Sequence, residues 1–153
     1  MHPFAHMMAG ALIGHIAGDP ALAIGGGLAS HVVLDVIPHT EGRTFRDGSA
    51  QRGGLFSPEL VEAGLEFVCA AVVIAWITRC PGADGRLIAL ATLAAILPDV
   101  IDQPLDKLHG VKLLHIRRWH WTVSRRHAFW GILTQLAIAG GAGLALLKLA
   151  GCL

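Results

Sequence analysis

Long apolar runs, cut by short polar or glycine–proline breaks, make up most of the chain. Phe4 to Gly18 is apolar and helix-compatible, interrupted only by His6 and His15. Gly18-Asp19-Pro20 is a turn signal, with proline at the first position of the helix that follows. Ala21 to Ile37 is the second helix, and its Gly25-Gly26-Gly27 run trades helix propensity for close backbone approach to a neighbour. Both are short against the roughly 20 residues of a full membrane span, which leaves open two tilted spans or a short, re-entrant hairpin. After a polar stretch, His39 to Ser57, the Ser57-Pro58-Glu59 start opens a helix over Pro58 to Arg79, long enough to cross a bilayer. Cys80 to Gly85 is a turn, and Arg86 to Asp102 is the next apolar segment, in which Pro98 is expected to kink or end the helix. Gln103 to Arg126 reads as a basic loop, and His127 to Leu149 as a last span. The pattern predicts an all-α, integral-membrane helical bundle of about five segments forming one domain over 1–153, with no repeat or linker.

Composition strengthens the membrane reading. Hydrophobic residues make up 54% of the 153 positions and charged residues only 15%, with a mean hydropathy of +0.58. A soluble domain carries nearer a quarter charged residues. The net charge of +1 says nothing about nucleic acid, but the chain has no basic helix with interleaved aromatics of the kind such binding needs, which leaves membrane lipid as the expected partner. A protein partner is not specified. Cys69, Cys80 and Cys152 are scattered and form no C-x-x-C pair, so neither a disulfide framework nor a thiolate metal site is expected. The N-terminus lacks the Lys/Arg that opens a cleavable signal, so insertion is expected to use internal segments.

Connectivity then sorts the charges. If successive segments cross, the N-terminus, the 39–57 loop and the 103–126 loop share one side. Arg43, Arg46, Arg52, Lys107, Lys112, Arg117, Arg118, Arg125 and Arg126 lie there, against Arg79, Arg86 and Lys148 near the other side. The positive-inside rule puts the richer side in the cytoplasm, which predicts a multi-pass protein of the inner (plasma) membrane. Trp119, Trp121 and Trp130 read as an interfacial belt on that side. The same arithmetic gathers His6, His31, Asp35, His39, Glu62, Glu66, Asp99, Asp102, His115, His120 and His127 at one end, leaving His15, Asp19 and Asp84 at the other. Helix ends near an interface are polar in any case. That explains Asp102 and His127 better than Asp35 and Glu66, which sit deeper in apolar sequence.

The centre of that gathering is His31-Val-Val-Leu-Asp35-Val-Ile-Pro-His39. A step of four residues turns about 40° around a helix, so His31 and Asp35 share a face. Pro38 ends the helix near Ile37 and leaves His39 just beyond, close to the same face. A greasy helix carries such groups at a cost unless they are paired or bind a cation. A histidine hydrogen-bonded to an aspartate in the core is one reading and a metal site the other. Imidazole and carboxylate without thiolate suit zinc first, then manganese or iron. Glu62 or Glu66 could serve as a ligand or as the general base of a hydrolytic site. The basic loop can hold phosphate or headgroups, but topology alone also makes such loops basic.

These motifs have a likeness. Ser30-His31-x-x-x-Asp35-x-x-Pro38-His39, Leu97-Pro98-Asp99, His6 ahead of a small-residue helix, and the His/Arg-rich segment 115–127 resemble small bacterial and archaeal membrane proteins assigned as metal-dependent hydrolases, a group that includes the LexA-binding inner-membrane hydrolases. The His-x-x-x-Asp element is also similar to that of zinc-dependent phospholipase C, an all-α enzyme. The resemblance implies His6, His31, Asp35 and Asp99 as ligands, with His115 and His120 as additions. One branch of the family carries His-Arg-Gly-x-Thr-His-Ser, where this chain has His115-Ile-Arg-Arg-Trp-His120-Trp-Thr. The function it implies is hydrolysis of a phosphoester or ester, lipid-linked substrates included. The alternative is a non-catalytic bundle in which a metal ties helices together or a partner binds. An ion conduit needs polar groups along its whole path, and the half of the bundle away from this end is nearly empty of them.

Overall fold

The computed structural model describes residues 3–37, 58–109 and 128–153, and the descriptions below concern those residues. They form five helices: α1 (Pro3–Ala17), α2 (Pro20–Val36), α3 (Pro58–Ile77), α4 (Gly85–His109) and α5 (Ala128–Leu149), with no strand among the described residues. The all-α expectation holds, and four helices end within two residues of the positions read from the pattern. The exception is α4. It runs through Pro98 to His109, so the start of the expected 103–126 loop is helical. Proline removes one N–H from the helical ladder, but the bonds on either side carry a long helix across the defect.

The α1–α2 connection is set locally. Asp19 is the N-cap of α2, its carboxylate accepting from the N–H groups of Ala21 and Leu22 at 2.8 and 3.1 Å, and Pro20 takes the position where a missing N–H costs nothing. α2 stops at Val36 with Ile37 extended, as expected ahead of Pro38.

α1 is the hub. It packs against α2, α3, α4 and α5, while α2 also packs against α4. A helix apolar on nearly all sides belongs inside a bundle, and Ala5, His6, Met7, Met8, Gly10, Ala11 and Gly14 are buried. Met8, Ile77, Ile88 and Leu146, from four different helices, are the largest fully buried apolar side chains. Two glycines permit the close approach. A Cβ on Gly14 would run into the Leu87 carbonyl oxygen, and one on Gly27 into that of Ala91. The same contacts fix the register. Gly10 lies against Ala95 and Ala91, and Gly14 against Leu87, so α1 runs antiparallel to α4, whereas Gly27 against Ala91 and His31 against Ala95 make α2 parallel to it.

Against expectation, two cysteines pair. Cys80, in the turn after α3, is bonded to Cys152, after α5, with Cα atoms 5.5 Å apart, and Cys69 is free and exposed. The scattered spacing carried no hint of this, because the pair is 72 residues apart in sequence and meets only through the fold. A closed loop of that length removes about 4 kcal/mol of unfolded-chain entropy. The Gly82 N–H also donates to the Ala150 carbonyl at 3.0 Å, so two links fasten the end of α5 to the α3–α4 turn.

Among the described residues one segment, Gly131–Leu149, is long and apolar enough to cross a membrane, and α2 is a shorter apolar helix. The surface is apolar well beyond that segment. Exposed large side chains include Leu22, Val33, Leu65, Val72, Trp76, Leu93, Val100, Leu136 and Leu144.

The backbone contacts at Gly14 leave no flexible neighbour to yield. Gly14→Ala is expected to lower stability by about 1–3 kcal/mol. Gly25→Ala, where a Cβ meets nothing within 4 Å, is expected to be neutral or to add up to about 1 kcal/mol. Thermal unfolding of the two purified variants beside the parent protein checks the pair.

Candidate metal centre

The register that packs α1 and α2 on α4 also assembles the site. Gly10 is level with Ala95, so His6, one turn earlier on α1, comes level with Asp99, one turn later on α4. His31 is level with Ala95, so Asp35 reaches the Asp99 level from the other side. His31 and Asp35 share a helical face as their spacing requires, with Nε2 3.1 Å from Oδ2. Asp35 Oδ1 lies 3.2 Å from Nε2 of His6, so one carboxylate faces both imidazoles. Asp99 Oδ1 is 3.8 Å from His31 Nε2. The two rings stack with centroids 4.4 Å apart and planes 25° from parallel. Nitrogen and oxygen atoms of His6, His31 and Asp99 all lie within 4.8 Å of one another, a group that could hold a metal ion.

Hydrogen bonding decides how the rings present themselves. His31 Nδ1 is 2.7 Å from the Ala95 carbonyl oxygen. A carbonyl only accepts, so Nδ1 carries the proton and, in the neutral ring, the Nε2 lone pair points at the carboxylates. Lone pair against carboxylate is repulsive, and only a proton or a cation between them makes it attractive. A backbone carbonyl behind the distal nitrogen is the usual way a ligating histidine is held in its tautomer. Pro98 contributes here: it lacks the N–H that would bond Ala94, and the adjacent carbonyl, Ala95, is the one that takes His31.

His6 is fully buried, and neither ring nitrogen makes a hydrogen bond among the described residues. Asp35 is its charged neighbour, with Oδ1 3.2 Å from Nε2. An orphaned imidazole in the core costs about 1–3 kcal/mol, which a cation at Nε2 would offset. The donor set, two imidazoles with carboxylates and no thiolate, fits zinc, manganese or iron. Asp99 is 40% exposed while His6 and His31 are enclosed, so the cluster opens on the Asp99 side.

Of the residues singled out in the sequence, His6, His31, Asp35 and Asp99 come together. Glu62 is exposed on α3; Glu66, one turn on, is half-buried; neither belongs to the grouping of His6, His31 and Asp99. His39, His115 and His120 lie outside the described residues. The Ala95 carbonyl was missed, and its one sequence signal is Pro98 three residues later. No family model, curated protein or solved structure matches the chain.

The orphaned ring gives a test that separates ligand from filler. With chelator present, His6→Leu is expected to be as stable as the parent protein or more so, by up to about 3 kcal/mol. With zinc at a hundredfold excess over its Kd, the parent gains about 2.7 kcal/mol and the variant gains nothing. Thermal unfolding with and without zinc reads both, and an equal gain in the two proteins would remove His6 from the ligand set.

Proposed function

We propose that the protein is a multi-pass integral-membrane, metal-dependent hydrolase of phosphoesters or esters, with zinc held by His6, His31 and Asp99 and assisted by Asp35. The observation that carries this reading is the convergence of two buried imidazoles and two carboxylates from three helices, with Asp99 the most exposed of the four among the described residues. The exposed apolar side chains on α2, α3, α4 and α5 support the membrane setting, since a lipid phase covers such surface without cost.

Zinc in such a donor set supplies Lewis acidity, polarising a phosphoryl or carbonyl oxygen and lowering the pKa of water. The chain's own groups do the rest. The Ala95 carbonyl holds His31 with Nε2 inward. Asp35, placed against both rings, keeps them in position and balances positive charge. The half-exposed Asp99 leaves room on its side for a substrate oxygen. We assign the general base to Glu66, with Glu62 on the turn before it. α3 packs on the helix that carries His6, and one carboxylate oxygen of Glu66 is enclosed. The enclosure of both imidazoles also favours a second reading, a metal that only ties α1, α2 and α4 together.

Elemental analysis of protein purified without chelator is expected to find one equivalent of metal. His31→Ala and Asp35→Ala are expected to lose both the metal and turnover of phosphoesters or carboxyl esters offered in mixed micelles. Glu66→Gln is expected to keep the metal and lose about 10²–10⁴-fold in rate. Metal-free protein of unchanged stability would overturn the proposal. Full metal occupancy without turnover in any variant or in the parent would leave the structural role in its place.

A further inference from the structure

The disulfide and the histidine–aspartate cluster occupy opposite ends of the bundle. Gly14 of α1 lies against Leu87 near the start of α4, and Gly82 bonds Ala150, so the α1–α2 turn, the α3–α4 turn and the end of α5 gather at one end. Cys80 and Cys152 are there, both half-buried. His6, Asp35 and Asp99 lie at the first turns of α1, the last turn of α2 and beyond the middle of α4, at the other end. The lysines and arginines of the sequence divide along the same axis. Nine fall in the sequence segments 38–57 and 103–126, which follow Asp35 and Asp99 along the chain, and Arg79, Arg86 and Lys148 lie within a few residues of Cys80 and Cys152.

From these two observations, one redox and one electrostatic, we infer that the protein sits in the membrane with the Cys80–Cys152 end on the oxidising, extracytoplasmic face and the metal cluster toward the reducing cytoplasm. The inference rests on the membrane setting proposed above and adds to the charge-based sidedness the compartment in which the disulfide forms. Thiols facing the cytoplasm stay reduced, whereas thiols facing the outer compartment meet disulfide-bearing oxidases. The reaction is an exchange. Cys80 and Cys152 together give up two protons and two electrons as their S–S bond forms, and the disulfide of the oxidase takes them up and becomes a dithiol. The positive-inside rule reaches the same orientation through charge alone. The partner implied for the far end is therefore a thiol oxidase of the outer compartment. The cluster draws its cation and its substrate from the cytoplasmic side.

The test is thiol labelling of the chain carrying Cys69→Ser, which removes the one free, exposed thiol. The variant is produced in a bacterial host and probed in spheroplasts with a membrane-impermeant, mass-adding maleimide. No gel shift is expected before reduction, and a shift of two labels is expected after an impermeant phosphine reductant, without permeabilisation. In a second variant, Cys69→Ser, Cys80→Ser and Cys152→Ser with Ser49→Cys, labelling is expected only after permeabilisation. Free thiols at Cys80 and Cys152, or labelling of them only in permeabilised cells, would overturn the orientation while the protein still pellets with membranes. Protein that stays in the supernatant after membranes are pelleted would overturn the membrane setting and the orientation with it.

Discussion

How closely α1 can lie against α4 governs nearly everything else in this structure. The contact is backbone to backbone at Gly14 and Leu87, and the same is true of α2 and α4 at Gly27 and Ala91. Interhelical distances are usually 8–10 Å because side chains intervene, and small residues let the axes come nearer. That nearness brings His6 within 3.2 Å of Asp35 and sets His31 against the Ala95 carbonyl at 2.7 Å. Wider spacing at either glycine would move these atoms out of reach of a shared ion. Packing residues a turn or two away are therefore part of the chemistry of the cluster.

Pro98 shows the same coupling between a local defect and a site. In the interior of a helix, proline ordinarily costs about 3 kcal/mol and kinks the chain. Here α4 continues for eleven residues beyond it. The carbonyl next to the broken rung supplies the acceptor that orients His31, and the residue after the proline is Asp99. One position in the sequence thus both loosens the helical ladder and places a carboxylate beside two imidazoles. Buried polar groups in an apolar bundle need such support, because each unmet hydrogen bond is costly where water does not reach.

The molecule also has a chemical axis. One end carries imidazoles and carboxylates. The other carries a disulfide and the bond between Gly82 and Ala150, which hold the end of α5 against the α3–α4 turn. The packing of α5 is chiefly against α1, through contacts such as that of Gly143 with the end of Met8, and the fastening at its C-terminal end complements that modest interface.

The type and most boundaries of the described helices were legible in the sequence, because apolar runs, Asp19-Pro20 and Pro38 act within a few residues of where they stand. So was the His31–Asp35 pairing, which needs only the pitch of a helix. Pro98 misled for the same reason: a local rule predicted an end, while the helix was held from outside by α1 and α2. Which histidine on another helix completes the cluster, which carbonyl fixes a tautomer and which cysteines pair were matters of register between helices. Register is decided by glycine contacts and side-chain fit over separations of tens of residues, and one chain read in order does not contain those distances. The sequence alone determined that polar groups would gather at one end of an apolar helical bundle. A motif likeness named His6, His31, Asp35 and Asp99, but only the tertiary packing decided how they meet, because three backbones approach more closely than side chains of ordinary size allow.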